Sequence, residues 1–336
     1  MNQQIKNISF PVRLLNQLSA KDNCVICPPG IASVLSMVAE GVDKGILAEI
    51  LDCLKFRSLG ELRSNIHNML IHPCEACRTE NTINLFAGSD KLRLLNSFKQ
   101  LMSNYYFANV CENVSEGTAF VSFRNISTFK ARWLCEMERD VDTNNYFHNN
   151  NGSISRPVFL NCTEYLNYYI DHPVRPTIKA VALPYKLNNT PIPYELVLVD
   201  IGEQTLNETL LMNVFINMHK DKCLVEFPQF TVENEFDLIS VMQSLGYQKI
   251  FDSKIFTDIL TKSMSVNSFE HKAKIQVDER GTIAKAVTTM HMYNSIIIPD
   301  GAEWIRFNNP FYYFIRNSNT GEIIFTGKVN KLADYE

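Results

Sequence analysis

The stretch H-K-A-K-I-Q-V-D-E-R-G-T-I-A-K-A, residues 271–286, decides the fold. Ala273, Ile275 and Val277 alternate with Lys274, Gln276 and Asp278, the period-two pattern of a strand. Glu279-Arg280-Gly281 reads as the strand's end, and a run of small and β-branched residues follows, from Thr282 to Thr289. In extended backbone, Thr282, Ala284, Ala286 and Thr288 share one face, and Ile283, Lys285, Val287 and Thr289 the other. The first set is uniformly small and uncharged, so it can slide between packed strands and lie over a core. The second set tolerates water. A loop that only had to stay solvated would need no such segregation. The chain then reads as loop until Pro299-Asp300-Gly301, with a new strand starting at Trp304.

The pattern H-K-A-x-I-x-V-D-E-x-G-T-x-A-x-A over His271–Ala286 resembles the serpin strand that leads into the hinge of the reactive-centre loop. Phe307-Asn308-Asn309-Pro310-Phe311, continued through Gly327-Lys328-Val329, resembles the carboxy-terminal signature of the same family. N-C-V-I-C-P-P-G-I-A-S-V-L-S-M-V-A-E-G (23–41), N-I-S-T-F-K-A-R-W (125–133), F-P-Q-F-T (227–231) and V-M-Q-S-L-G (241–246) resemble further serpin segments. The resemblance implies a bait loop, here about residues 279–303. A protease cleaves it, the hinge (Glu279, Gly281, Thr282, Ala284, Ala286 and Thr288) inserts into the main sheet, and the covalently bound protease is dragged across and distorted.

Composition fits a globular chain and excludes several alternatives. Of 336 residues, 46% are hydrophobic and 20% charged, without a Gly/Ser, Pro-rich or charged linker. A single serpin-like domain over residues 1–336 is expected. The formal net charge of −4 offers no case for nucleic-acid binding. The amino terminus lacks the continuous apolar core of a signal peptide, and no apolar stretch reaches 18 residues. A cytoplasmic protein without a membrane partner is the expectation. Nine cysteines without a regular framework fit reduced thiols. Sequons such as Asn151-Gly152-Ser153 and Asn207-Glu208-Thr209 matter only on export.

Taken in order, residues 4–20 read as a helix interrupted by Pro11, and 23–29 as a short buried strand ending at prolines. Helices follow at 31–40, 44–54, 61–71 and 92–105, with a strand at 81–87. Strands are expected at 119–130, 178–185, 194–199, 223–227, 304–308, 311–316 and 322–329, and a polar loop over 188–193. A helix over 235–245 closes at Gly246. Helices crowd the amino-terminal third and strands the remainder, so the class is α+β. The resemblance adds a large central mixed β-sheet with smaller sheets and an exposed reactive-centre loop.

The chain departs from the family in two places. About a dozen residues separate Tyr106 from Ala119, too few for the helix and crossover that usually cover the main sheet, since one such connection takes ~10–12 residues with its helix. That helix is expected to be missing, as in the compact serpins of poxviruses, leaving apolar sheet exposed. At the centre of the sheet the family has two serines bonded with an asparagine and a histidine. Asn125 and His271 match the latter pair, but Cys27 and Gly30 stand at the serine positions. Lost hydroxyls cost about 1–3 kcal/mol where partners are orphaned, so a weaker latch and a metastable native state are expected. His271 reads as a satisfied core histidine rather than a catalytic one. By resemblance, Trp133 lies where the loop enters the sheet.

The usual hinge-to-cleavage spacing puts the scissile bond at Ser295–Ile296, with Asn294 and Tyr293 as alternative specificity residues. None of them is acidic or basic, which disfavours caspase-like and trypsin-like targets. No P-loop or dinucleotide fingerprint occurs, and no cofactor is expected. The pairs Cys24/Cys27 and Cys74/Cys77, the second beside His72, have C-x-x-C spacing, but the first lies in a core strand and no metal site is expected. A cysteine-protease reading finds no local signature. Two function classes remain. One is a suicide-substrate inhibitor, not an enzyme, acting as a monomer on a host serine or cysteine protease, as a viral modulator of host defence. The other is a non-inhibitory serpin-fold protein that binds a host partner.

Overall fold

In the computed structural model, the described residues are 3–19, 22–71, 76–86, 93–113, 120–140, 145–251, 266–282 and 300–335. They form two compact units. The first comprises residues 1–26, 129–233 and 274–336, and the second 27–128 and 234–273.

The first unit opens with a helix, Gln3–Leu18, that continues through Pro11 instead of breaking there. It packs against the helix Glu208–Asn217 and the terminal strand Ile323–Val329. The strand order runs Cys24–Ile26, Ile323–Val329, Phe311–Asn317, Thr190–Asp200, Lys179–Leu187, Ala131–Trp133, Gly281–Thr282. Lys179–Leu187 and Thr190–Asp200 are joined by Asn188-Asn189 alone, both at positive φ (48° and 65°). That is the tight hairpin whose twist matches its strands, and it replaces the loop expected over 188–193. Lys179–Leu187 also pairs with Phe159–Ile170, which pairs with His219–Pro228. His219–Pro228 in turn holds Glu303–Arg306, the next strand among the described residues after Gly281–Thr282, in parallel. Trp133, Tyr185, Tyr313, Phe227 and Phe307 are among its fully buried side chains.

The second unit is built on the helix Pro28–Ala39, buried at nearly every position. Its two prolines occupy the first helical positions, where a missing N–H costs nothing. They therefore start a helix as well as end a strand. The helix packs on Lys44–Leu54, Leu59–Ile71 and the strand Cys77–Phe86. Asn96–Tyr106 packs beside Leu59–Ile71 and is followed by a strand, Asn109–Asn113, parallel to Cys77–Phe86. Among the described residues between Tyr106 and Phe120 there is this strand and no helix, as the short spacing requires. Phe120–Phe129 and Val266–Asp278 continue the sheet beside it. Residues 235–237 end the strand Phe230–Asp237, whose burial alternates, and the expected helix is confined to Ile239–Ser244.

Candidate functional site: a loop mouth and a buried polar network

The loop mouth lies in the first unit. Val266–Asp278 turns through Glu279-Arg280 and resumes as a two-residue strand, so Gly281-Thr282 starts a strand rather than ending one. Gly281 and Thr282 pair with Asp278 and Val277 on one side and with Arg132 and Ala131 on the other. Gly281 has φ of +146°, and a Cβ there would stand 2.1 Å from the Ala131 carbonyl oxygen, so only glycine fits. Trp133 holds the turn with two donors: its indole Nε1–H to the Asp278 carbonyl at 2.8 Å, its backbone N–H to the Arg280 carbonyl at 3.0 Å. The Asp278 carboxylate, itself buried, accepts from the Arg280 backbone N–H at 2.9 Å and from its guanidinium at 3.1 Å.

The Trp133 ring stacks on Tyr185 at 4.8 Å, and the two residues are cross-strand partners. Tyr185 brings its hydroxyl to 2.6 Å from Thr282 Oγ1. Burial pushes the Tyr185 phenol far above its ordinary range, so it stays protonated. Thr282 is fully buried, so the first residue of the small, uncharged face points inward. Trp133 thus stands beside the turn that leads into Gly281-Thr282. Tyr185 carried no signal beyond its strand, because its partner lies 97 residues away. Ala284, Ala286, Thr288, Tyr293, Asn294, Ser295 and Ile296 lie outside the described residues.

The polar network lies in the second unit. Asn125 and His271 are both fully buried, and His271 Nδ1 is 3.0 Å from Asn125 Oδ1. The Cys27 backbone N–H donates to His271 Nε2 at 2.9 Å. A nitrogen that accepts carries no proton, so the tautomer is Nδ1–H and His271 donates to Asn125. Asn125 Oδ1 also accepts from Ser127 at 2.9 Å, and its amide donates to Asn81 Oδ1 at 2.9 Å. Asn81 donates in turn to Ser33 Oγ at 2.9 Å and to the Tyr106 carbonyl at 3.4 Å. The Tyr106 hydroxyl donates to Glu40 at 2.6 Å, and Arg63 grips the same carboxylate through two nitrogens.

The expected loss of partners at Cys27 and Gly30 is therefore not what this network shows. Cys27 serves through its backbone. At Gly30 a Cβ would lie 2.3 Å from Asn125 Oδ1 and 2.8 Å from Ser127 Oγ, so the space of a serine is taken by the asparagine amide. Asn81 and Ser127 complete the set. Desolvation lowers the His271 pKa to about 3, so the ring is neutral. No group of three or more His, Cys, Asp or Glu that could hold a metal occurs among the described residues. Cys24 and Cys27 are buried in the core, while His72 and Cys74 lie outside the described residues.

The serpin (serine protease inhibitor) family model matches residues 5–117 and 109–332. Iripin-2 of Ixodes ricinus is 33% identical over 160 residues, 46% of this chain and 40% of that protein. Alpha-1-antiproteinase of Mus saxicola is 22% identical over 361 residues, 94% of this chain and 85% of that protein. The native structure of the thermophilic serpin tengpin has a TM-score of 0.79 at 20% identity, covering 98% of this chain and 94% of that one. Serpin48 of Tenebrio molitor gives 0.77 at 20% identity, with 98% of both chains covered. The α+β fold is thus the serpin fold, and the family model and the alpha-1-antiproteinase relative carry the names of inhibitors rather than enzymes.

Two outcomes follow for the network. Gly30→Ser gains about 0.5 kcal/mol of helix propensity but displaces Asn125 and orphans buried groups at about 1–3 kcal/mol each. The variant is expected to lose stability in denaturant titration, and a gain would show that the network tolerates the hydroxyl. For His271 the folded pKa, about 3, lies below its ordinary 6.5, so the unfolded chain binds the proton first. Its contribution to stability is complete above pH 6.5 and falls as pH drops towards 3, by about 1.4 kcal/mol per unit within that window. His271→Gln is expected to flatten the stability–pH curve between pH 5 and 6.5 relative to the parent. Parallel curves would remove His271 as the titrating group.

Proposed function

The chain belongs to the serpin family, and on that premise we propose that it is a suicide-substrate inhibitor of a host serine or cysteine protease. In this reading it is a compact, poxvirus-like serpin that acts as a monomer in the host-cell cytoplasm and modulates host defence. The observation that carries inhibition is the hinge. Gly281 and Thr282 already form a strand between Val277–Asp278 and Ala131–Arg132, with Thr282 turned into the core. Residues after Thr282 can extend the same ladder, and Ala284, Ala286 and Thr288 continue its inward face with side chains that need little room.

The target attacks the Ser295 carbonyl. Its serine oxygen or cysteine sulfur becomes acylated, and the Ile296 amine leaves as the bond breaks. Freed at its carboxyl end, the hinge adds strand residue by residue from Thr282 onward and carries the acylated protease with it. The neutral residues Tyr293, Asn294 and Ser295 suit a target with a polar or apolar cleft rather than a charged one. The short connection after Tyr106 supports a trimmed, poxvirus-like subtype.

Thermal unfolding before and after nicking the loop between Thr288 and Pro299 tests the reading without knowledge of the target. A large rise in midpoint is expected, because inserted strand satisfies backbone groups and buries the small face. An unchanged or lower midpoint would select the other class, a serpin-fold protein that binds a partner through its surface. Thr282→Arg separates insertion from cleavage. A guanidinium at this fully buried position costs several kcal/mol without a counter-charge. The variant is expected to be cleaved as a substrate, with the yield of detergent-stable protease complex greatly reduced. Full complex yield would mean that Thr282 does not enter the sheet on inhibition.

A further inference from the structure

The short strand Ala131–Trp133 has an inner face, Ala131 and Trp133, and an outer face that carries Arg132. Lys130 lies two residues before Arg132, on the same side of the extended chain. In the antiparallel ladder Arg132 stands directly opposite Lys186. Like charges in directly opposed positions destabilise a sheet. Past Gly281 the same row reaches Asp278, whose buried carboxylate is already held by Arg280. None of Lys130, Arg132 and Lys186 makes an ion pair with a described residue. Residues 283–299, the next stretch of chain, contain no aspartate or glutamate and add Lys285 and His291. The three cations line a cavity of ≈ 420 Å³ together with Ala131, Leu187, Asn188 and Asn189, and among the described residues no carboxylate lines it. The tight Asn188-Asn189 turn fixes the cavity's far wall.

We propose that this cavity is a binding site for a multiply charged oxyanion, a phosphate or sulfate ester group, seated over Arg132 and Lys186 beside Gly281 of the hinge. The ladder row runs Lys186, Arg132, Gly281, and Gly281 has no side chain to fill the space beside Arg132. A guanidinium fork, two ammonium groups and two asparagines match the planar and tetrahedral acceptor geometry of such esters. Bound there, the anion screens the Arg132–Lys186 repulsion and stiffens the strand that Gly281 and Thr282 pair with. The site thus couples ligand binding to the hinge. It does not depend on the inhibitory reading, since binding is measured without a protease.

The test uses the full chain carrying Trp304→Phe, which leaves Trp133, adjacent to Arg132, as the sole indole. Its fluorescence is titrated with tripolyphosphate and, separately, with sucrose octasulfate, at constant ionic strength against chloride. A saturable change is expected, weakened at least about tenfold by Arg132→Gln with Lys186→Gln. Saturation by both compounds assigns the site to the shared oxyanion chemistry, and saturation by one alone to that ester. A second variant, Lys130→Gln with Lys186→Gln, spares the residue that pairs with the hinge and is expected to lose binding too. Without anion, Lys186→Gln is expected to keep or raise the thermal midpoint, because it removes a repulsion. Binding as tight as the parent's by either double variant, or a response that only tracks ionic strength, would overturn the proposal.

Discussion

One hydrogen bond orders the second unit: the Cys27 backbone N–H to His271 Nε2. A helix begins with four N–H groups that have no partner within it. In Cys27-Pro28-Pro29-Gly30 two of those groups do not exist, since proline has none, and His271 takes a third. The bond fixes the imidazole tautomer, and the tautomer fixes the rest. With its proton on Nδ1, His271 can only donate to Asn125, so the Asn125 oxygen must face it and its amide must face Asn81. Asn81 then reaches back to Ser33 of the same helix and to the Tyr106 carbonyl. One helix is thereby tied at its start and in its middle to the strands that lie over it.

Such a network is expensive to disturb in part. A buried polar group left without a partner costs about 1–3 kcal/mol, more than the net gain of about 1 kcal/mol from a typical bond. Each member thus depends on the others, and loosening any one of them exposes the rest to that penalty. The loop mouth works on a different principle. Its residues are held by shape: the ring stack of Trp133 on Tyr185, and the glycine at 281 that lets two backbones approach. Its buried polar contacts are local: the Tyr185–Thr282 hydroxyl pair, the Trp133 indole on the Asp278 carbonyl, and the Asp278 carboxylate on Arg280. A mouth closed by packing and a few local bonds, none of them to residues beyond Thr282, can be extended by further small residues with less penalty than a mouth closed by a polar lattice.

Much of this was legible in the sequence wherever a face is one-sided. Ala273, Ile275 and Val277 alternate cleanly, and the strand is there; the helix Lys44–Leu54 has the expected bounds, with Asp43 as its cap. Phe159–Ile170 escaped because its first four residues are all buried and the later ones irregular, so no period of two stands out. Asn109–Asn113 escaped because it is largely exposed on both faces, and only its pairing with Thr82–Phe86 makes it a strand. The helix Glu208–Asn217 left one readable signal, Asn207, whose side chain caps Leu210. At the sites, Asn125, His271 and Trp133 were found by resemblance, whereas Asn81, Ser127 and Tyr185 depend on partners distant in sequence. A polar residue in a strand does not announce which distant amide it will meet.

The position of Cys27 shows where residue-by-residue transfer from a family fails. A serine replaced by cysteine reads as a lost hydroxyl, and a serine replaced by glycine as a second loss. Yet the group that meets His271 at position 27 is the backbone N–H, which every residue but proline supplies. At position 30 the missing side chain is itself the contribution. Only without a Cβ can the Asn125 amide come close enough to accept from both His271 and Ser127. The glycine at position 30 thus makes room for an asparagine geometry in which the backbone of residue 27 suffices. What a network of this kind requires is that every buried donor finds an acceptor, and which side chains supply the partners is secondary. Its strength follows from that closure and not from the number of hydroxyls it contains.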